Sequence, residues 1–177
     1  MSVQGLGGGF ESQFGEAFVG EGADAAHLNT VLGARGGPVE TAWTTSLATP
    51  TVGHQRFVVV ARPGVPVKPF TLFVPKAEVR SGTHEIMTWG AAQAGVAGGV
   101  VDALAAGVVD PARADQLLLI AAVWVDPGAD DADAVYTNNR AATLAALRAG
   151  AGHEPALDDV LAAGPDPYNP FFTGPHP

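Results

Sequence analysis

A histidine and an asparagine at alternate positions of an apolar segment are the residues whose types and spacing point most directly to chemistry. Residues 25–32 (AAHLNTVL) alternate in polarity, a pattern typical of a half-buried β-strand. Because side chains two residues apart in a strand project to the same side, His27 and Asn29 are expected about 7 Å apart on one face. An imidazole titrates near neutral pH and can transfer a proton to a ligand held on that face. A structural histidine held by hydrogen bonds is the alternative that the spacing leaves open.

Two further polar features stand out from apolar surroundings. The same alternation in the extended segment 70–79 places Lys76 and Glu78 on one face. Gln93 is the only polar side chain between residues 89 and 101 of a helical segment. Because an unpaired buried amide costs about 1–3 kcal/mol, Gln93 must either bond to backbone or face a cavity that holds a polar ligand.

The chain order of the elements that must position these groups predicts an α+β layer protein. Strands are expected at residues 14–20, 25–32, 55–61, 70–79 and 116–125, and helices from Pro38 to about Leu47, from His84 to about Val108 and at residues 129–150. The first two strands flank a turn at 20–24 and are expected to pair as a hairpin. The order β-β-α-β-β-α-β-α favours a mainly antiparallel sheet with helices packed on one face.

The sequence also predicts where each strand lies in the sheet and which residues are buried. The β-branched segment 55–61 is expected at the centre of the sheet, whereas the prolines of segment 70–79 favour an edge or a bulge. The continuous apolar run 116–125 is typical of a strand covered on both faces. The first helix is expected to bury three residues, namely Ala42, Trp43 and Leu47.

The composition favours one domain with two tails. The 177 residues predict a domain at 13–150, a flexible glycine-rich arm at 1–12 and a Pro- and Gly-rich extension at 151–177. With 47% hydrophobic and 15% charged residues, much of the surface is expected to be covered by a partner, such as further copies of the chain. Three aromatic residues of the extension are expected to dock on a groove or neighbouring subunit: Tyr168, Phe171 and Phe172. The lack of cysteine excludes disulfides and thiolate chemistry.

The charge distribution limits the class of ligand. A formal net charge of −9 argues against nucleic-acid binding. Six of the nine Lys and Arg residues lie between residues 28 and 80, where only Glu40 and Glu78 oppose them. This segment either attracts a small anionic ligand or pairs with acidic surface elsewhere. The glycine-rich start of the sequence predicts neither a signal peptide nor a membrane partner, so a cytoplasmic location is expected.

Motifs for several other chemistries are absent from the sequence. It contains no Walker loop, no GxGxxG after a strand, no GxSxG and no HExxH. Asp130, Asp131 and Asp133 crowd the start of the last predicted helix, where acidic residues interact favourably with the helix dipole. No histidine accompanies them, so the aspartates are interpreted as helix-end electrostatics and no metal site is predicted.

Three segments in order resemble the formaldehyde-activating enzyme family. They read GEAFVGEGADAAHLNTVLGARGGPVETA, PGVPVKPFTLFVPKAEV and WGAAQAGVAGGVVDAL, and the resemblance runs from about Gly15 to Arg148. It implies a fold similar to the second domain of a small-subunit ribosomal protein. It also implies a homopentamer with active sites at subunit interfaces. The implied activity joins formaldehyde to tetrahydromethanopterin and gives methylene-tetrahydromethanopterin and water.

The resemblance also assigns roles to individual residues. It places the catalytic residue at His27, which would act as a general acid, and the ligand-contacting positions at Asn29, Val58, Lys76, Glu78 and Gln93. Tetrahydromethanopterin would be a co-substrate, and no tightly bound cofactor is implied.

The sequence departs from the usual family pattern at three places. Asn29 stands where aspartate is usual, Glu78 where threonine is usual, and Thr137-Asn138-Asn139 replaces Tyr-Asn-Tyr. The change at Asn29 removes a negative charge beside His27. Glu78 beside Lys76 either restores a negative charge nearby or neutralises the lysine that is expected to meet an anionic ligand. These departures keep two alternatives open: a paralogue that acts on another one-carbon carrier or aldehyde, and a non-enzymatic ring that binds a ligand.

Overall fold

A computed structural model describes residues 10–80, 82–164 and 167–169, and within them the chain is built on a five-stranded sheet. Its strands are β1 (Gln13–Val19), β2 (Ala26–Ala34), β3 (Phe57–Val58), β6 (Phe70–Pro75) and β7 (Leu117–Trp124), in the order β1-β2-β7-β6-β3. Only the β6–β7 pair is parallel. A separate two-stranded ribbon consists of β4 (Val60–Arg62) and β5 (Val65–Pro66). The predicted α+β class with a mainly antiparallel sheet is confirmed; the likeness to a ribosomal-protein domain stays a prediction.

The helices divide unequally between the two faces of the sheet. They are α1 (Pro38–Ala48), α2 (Thr83–Glu85), α3 (Gln93–Ala105), α4 (Ala132–Gly152) and α5 (Leu157–Ala163), with a π-helical segment, Ile86–Ala92, between α2 and α3. The long helix α4 packs on β1 and β2, and α3 packs on α4, so both contribute to the main core on one side of the sheet. On the other side, α1 covers one corner, where Val39 and Trp43 meet Leu72 and Leu118.

The β1–β2 hairpin and its buried face follow the predicted alternation. Leu28, Thr30 and Leu32 are almost completely buried on the α4 side, whereas His27 and Asn29 are only partly buried on the opposite side. The turn between the strands contains Gly20 at a φ of 91°, a conformation that side chains other than glycine rarely adopt. The predicted hairpin is therefore confirmed.

Segment 55–61 is not a central strand, contrary to expectation. Only β3 joins the main sheet, at its edge, and the chain leaves the sheet at Val59. The Val59 N–H donates to Thr71 O, while the Val59 carbonyl accepts from Val67 N–H. The Pro63–Gly64 turn, with Gly64 at a φ of 81°, folds the next residues back into the β4–β5 ribbon. A high β propensity therefore did not determine the strand's place in the sheet.

The edge position expected for segment 70–79 is also wrong. β6 lies inside the sheet, between β7 and β3, and ends at Pro75. A proline has no N–H to donate, but Pro69 precedes the strand and Pro75 closes it, so the ladder loses little. Ladder bonding resumes directly afterwards, because the Lys76 N–H donates to Val123 O.

The expected burial of two further elements needs correction. In α1 Trp43 is buried as predicted, but Ala42 and Leu47 are exposed, and Val39 takes their place because it lies four residues before Trp43 on the same helix face. The predicted two-sided cover of β7 extends over only part of its length. Ala122 and Trp124 are partly exposed, since α1 covers the other end of this face.

Among the described residues, no helix is both long and apolar enough to cross a membrane.

The close approach of α3 and α4 gives a stability prediction. A Cβ on Gly99 would lie 2.5 Å from Thr143 Cβ and 2.6 Å from the Arg140 carbonyl oxygen. We expect Gly99→Ala to lower the free energy of unfolding by about 1–3 kcal/mol, because the two backbones must separate. The measurement is urea denaturation followed by circular dichroism.

Gly98→Ala is the matched control, one residue away in the same helix. There a Cβ would meet side-chain atoms of Arg140, at 3.1 Å from Cδ, and not backbone. Because alanine favours helix over glycine by about 1 kcal/mol, this variant should be neutral or slightly more stable. Equal destabilisation by both substitutions would contradict the proposed tight helix crossing.

Candidate active site

The hairpin register brings polar side chains onto the sheet face that α1 leaves uncovered. In the β1–β2 pairing Glu16 lies opposite Asn29, and Phe18 lies opposite His27. On the other side of β2, His27 pairs with Trp124 and Asn29 with Ala122. We call this surface the open face; its members are Phe14, Glu16, Phe18, His27, Asn29, Ala122 and Trp124. Phe14 and Phe18 are 67% and 45% exposed, so the open face is largely apolar around its polar centre.

His27 contacts a carboxylate that sequence reasoning did not single out. Its Nε2 lies 3.0 Å from Glu16 Oε1, and the His27 and Glu16 side chains are 42% and 59% exposed. The Phe18 ring is also near the imidazole, with 6.1 Å between the ring centroids. The alternation of β1 in the sequence puts Glu16 on one face with Phe18. Only the pairing of β1 with β2 shows that this face adjoins His27.

Asn29 is joined to Lys76 from the far side of β7. The Lys76 ammonium donates to Asn29 Oδ1 over 2.5 Å. Lys76 reaches this point because it directly follows β6 and its backbone binds Val123 of β7. Burial lowers the pKa of Lys76, and the Glu16 carboxylate opposes that shift electrostatically. The predicted residues His27, Asn29 and Lys76 therefore lie together, with Glu16 added.

Val58 and Gln93 lie at a second place, beside β3. They line a cavity of about 250 Å³ together with Gln55, Phe57, Val60 and Trp89. The Gln93 Oε1 accepts a hydrogen bond from the Val60 N–H over 2.9 Å. Both alternatives for Gln93 are thus realised, since its oxygen is satisfied by backbone and its side chain also faces a cavity. The π-helical segment just before Gln93 contributes Trp89 to the same cavity, and such segments are frequent at functional sites.

The two groups of residues are far apart in one copy of the chain. Strand pairing links Val58 of β3 to Leu72 of β6, Leu72 to Ile120 of β7, and Ile120 to Val31 of β2. Val58 and Val31 therefore lie at the same height along the sheet. His27 is four residues from Val31 along β2, about 13 Å, and β2 and β3 are three strand spacings apart, about 14 Å. His27 and Val58 are therefore separated by on the order of 19 Å.

Glu78 does not join either group. β6 ends at Pro75, so the alternation that put Glu78 beside Lys76 does not continue. The exposed Glu78 side chain instead lies against Gly53 and forms no ion pair with Lys76. The negative charge that acts on Lys76 belongs to Glu16.

Two aspartate side chains, one of them from the hairpin turn, bind backbone N–H groups at the start of α4. Asp24 Oδ1 accepts from the N–H groups of Asp130 and Asp131, and Asp131 Oδ1 accepts from those of Asp133 and Ala134. The interpretation of helix-end electrostatics is therefore confirmed for Asp131. Within the described ranges, no three His, Asp or Glu side chains are grouped so that they could hold a metal ion.

The segment Thr137-Asn138-Asn139 lies on α4, outside both groups. Asn138 donates to the Asp24 carbonyl and so ties α4 to the hairpin turn, whereas Asn139 is buried within the helix packing. In the C-terminal extension, Tyr168 is 80% exposed, and Phe171 and Phe172 lie outside the described residues. Docking of this extension stays a prediction.

The contact between Lys76 and Asn29 gives a prediction about charge. We expect Asn29→Asp to raise the pKa of Lys76, because a carboxylate at hydrogen-bond distance stabilises the ammonium. Lys68 and Lys76 are the only lysines of the chain, so Lys68→Arg leaves Lys76 as the single lysine signal. The measurement is an NMR titration of the ¹³C-dimethylated amine.

Gln116→Glu supplies the matched control, since it adds the same charge at an exposed position before β7. It should leave the titration of Lys76 unchanged. An unchanged Lys76 pKa in Asn29→Asp would show that the ammonium does not bind at Asn29.

Comparison with known proteins identifies relatives over most of the chain. The family model for the formaldehyde-activating enzyme matches residues 14–172, which extends past Arg148 into the C-terminal extension. The 5,6,7,8-tetrahydromethanopterin hydro-lyase of Methanosarcina barkeri is 37% identical over 161 residues, 91% of this chain and 90% of the relative.

Longer relatives match as well. The bifunctional enzyme Fae/Hps of Methanosarcina barkeri is 36% identical over 149 residues, and that of Methanosphaera stadtmanae is 35% identical over 150 residues. These matches cover 84% and 85% of this chain but only 38% and 37% of the bifunctional enzymes. From the extent of the family match and the identity to a relative of similar length, the chain belongs to the formaldehyde-activating enzyme family.

Proposed function

We propose that this protein condenses formaldehyde with tetrahydromethanopterin and releases methylene-tetrahydromethanopterin and water. A relative that matches along 90% of its length is named a tetrahydromethanopterin hydro-lyase. The observation that carries the proposal is the position of His27, partly exposed on the open face and beside a carboxylate.

Two other histidines of this fold have structural roles, because each forms hydrogen bonds with backbone atoms. His84 is buried, with Nδ1 accepting from the Arg80 N–H and Nε2 lying 3.1 Å from the Val125 carbonyl oxygen. His54 Nδ1 lies 3.1 Å from the Pro75 carbonyl oxygen. His27 differs from both, because its partner is a side-chain carboxylate and not a backbone carbonyl, and it is more exposed than the buried His84. This contrast supports a chemical role for His27.

The reaction needs one proton at one stage. A nitrogen of the pterin attacks formaldehyde and forms a carbinolamine, whose hydroxyl must leave as water. In the proposed mechanism protonated His27 donates to that hydroxyl, the C–O bond breaks, and the resulting iminium is attacked by the second nitrogen. A positioned general acid of this kind typically contributes a factor of about 10²–10⁴.

The other residues have roles in orientation. Asn29 and Gln93 offer amide groups to the carrier, Val58 offers apolar contact, and Lys76 offers positive charge beside Asn29. The exposed position of Glu78 beside Gly53 gives no support for a ligand contact within one copy of the chain.

A complete site requires more than one copy. His27 and Val58 are on the order of 19 Å apart, so one fused-ring head group cannot touch both groups in a single copy. The exposed aromatic residues of the open face offer a surface for a neighbour. The proposed assembly is a homopentamer in which His27 of one copy faces Val58 and Gln93 of the next. The expected cytoplasmic location remains part of the proposal.

The first test is the rate of methylene formation. With formaldehyde and tetrahydromethanopterin, wild type should exceed the uncatalysed rate, and His27→Ala should lose on the order of 10²–10⁴-fold. His153→Asn, an exposed change after α4, should retain full activity. The same assay with tetrahydrofolate identifies the carrier. No acceleration with either carrier would remove the enzymatic proposal, and equal rates for wild type and His27→Ala would remove His27 as the acid.

The second test is complementation between inactive variants. His27→Ala and Gln93→Ala, unfolded together in equal amounts and refolded, should regain activity at about a quarter of the sites if each site joins two copies head to tail. Each variant refolded alone should stay at its own low residual rate, because none of its sites is complete. If the mixture also stays inactive while forming mixed oligomers, each site lies within one copy.

A further inference from the structure

We infer that Glu16 is a positioning residue for His27: it holds the Nε2–H of the imidazole, so that Nδ1 is the atom that delivers the proton. This inference rests on the proposed function and names the working atom of its acid. Its structural part, the contact between Glu16 and His27, can be tested without any activity.

The strand register fixes the contact. Glu16 pairs with Asn29, two positions from His27 on the same face, so Glu16 and His27 are diagonal neighbours across the β1–β2 ladder. From there Glu16 Oε1 lies 3.0 Å from Nε2, a hydrogen-bond distance. Phe18, directly opposite His27, restricts the ring from the same strand. Both partners of the imidazole therefore come from β1.

The other groups around His27 do not compete for Nε2. From β2, Asn29 is neutral and its Oδ1 is occupied by Lys76. From β7, the residue paired with His27 is Trp124, which carries no charge. Lys76 is a cation and cannot accept the imidazole proton. Glu16 is thus the carboxylate that pairs with His27 among the described residues.

The contact determines which ring atom faces the substrate. Nε2 and Nδ1 point away from different edges of the imidazole, so a ring bound to Glu16 through Nε2 presents Nδ1 elsewhere. The protonated ring gives its Nδ1 proton to the carbinolamine hydroxyl, the C–O bond breaks and water leaves. The neutral ring keeps its proton on Nε2, and this N–H still donates a hydrogen bond to Glu16. Ring closure then releases a proton from the second pterin nitrogen, Nδ1 takes it, and the acid is restored.

The kinetic test compares carboxylates of the same hairpin. Glu16→Ala should lower kcat on the order of tenfold or more, because the acid loses its positioning partner. The change in KM for the carrier should be smaller, because Glu16 acts on Lys76 only through its charge. Added acetate should partly restore kcat, since a small carboxylate can occupy the vacated place. Glu21→Gln, an exposed change in the turn, should leave both constants unchanged. An unchanged kcat in Glu16→Ala would overturn the inference.

A spectroscopic test stands apart from activity. In protein labelled with ¹⁵N-histidine at about pH 9, where imidazole is ordinarily neutral, the His27 signal is identified by its loss in His27→Ala. We expect a hydrogen-bonded proton on Nε2 and none on Nδ1, and we expect that proton signal to disappear in Glu16→Ala. A proton on Nδ1, or an Nε2 signal that Glu16→Ala leaves unchanged, would overturn the inference. An enzyme inactive with every carrier would refute the proposed function, while this spectrum would still decide the contact.

Discussion

The antiparallel register of β2, held between β1 and β7, is the constraint on which the site depends. One residue of slip in either ladder would turn His27 and Asn29 toward α4 and bring Leu28 and Thr30 to the surface. The nearly complete burial of Leu28 against α4 makes that exchange unfavourable. The same register that fills the core therefore places Glu16 beside His27 and Trp124 on its other side.

The helices make the open face possible by their unequal distribution. α4 approaches β1 so closely that a Cβ on Gly15 would overlap the Ala146 carbonyl oxygen, at 1.8 Å. The two long helices therefore bury the apolar residues of one sheet face, and α1 covers only a corner of the other face. The remaining area combines exposed phenylalanines with a cluster of polar groups, which suits a site completed by a neighbouring copy.

Local periodicity predicted which sheet face His27 and Asn29 share, whereas contacts that depend on strand pairing could not be predicted. The alternation left open whether His27 is structural or catalytic, and the isolation of Gln93 in an apolar helix left open a backbone contact or a cavity. Glu16 escaped notice because its relation to His27 exists only across the β1–β2 ladder. The alternation put Glu78 on one face with Lys76, but the strand ends at Pro75, four residues before the predicted end at residue 79.

The fold shows the same division between local and long-range information. The hairpin, the α+β class and the last long helix follow from turn residues and periodicity. Residues 55–61 had the composition of a central strand, yet the turn at Gly64 returns the chain on itself and leaves β3 at the edge. Strand position in a sheet is set by which partners remain available, and propensity carries no information about that.

A structure with tetrahydromethanopterin bound would show whether two copies of the chain share one site built around His27. We expect a reacting nitrogen of the carrier within about 4 Å of His27 Nδ1 in one copy. The same carrier molecule should contact Val58 and Gln93 of the adjacent copy. A carrier bound at Val58 and Gln93 with no copy of His27 in reach would refute the shared site.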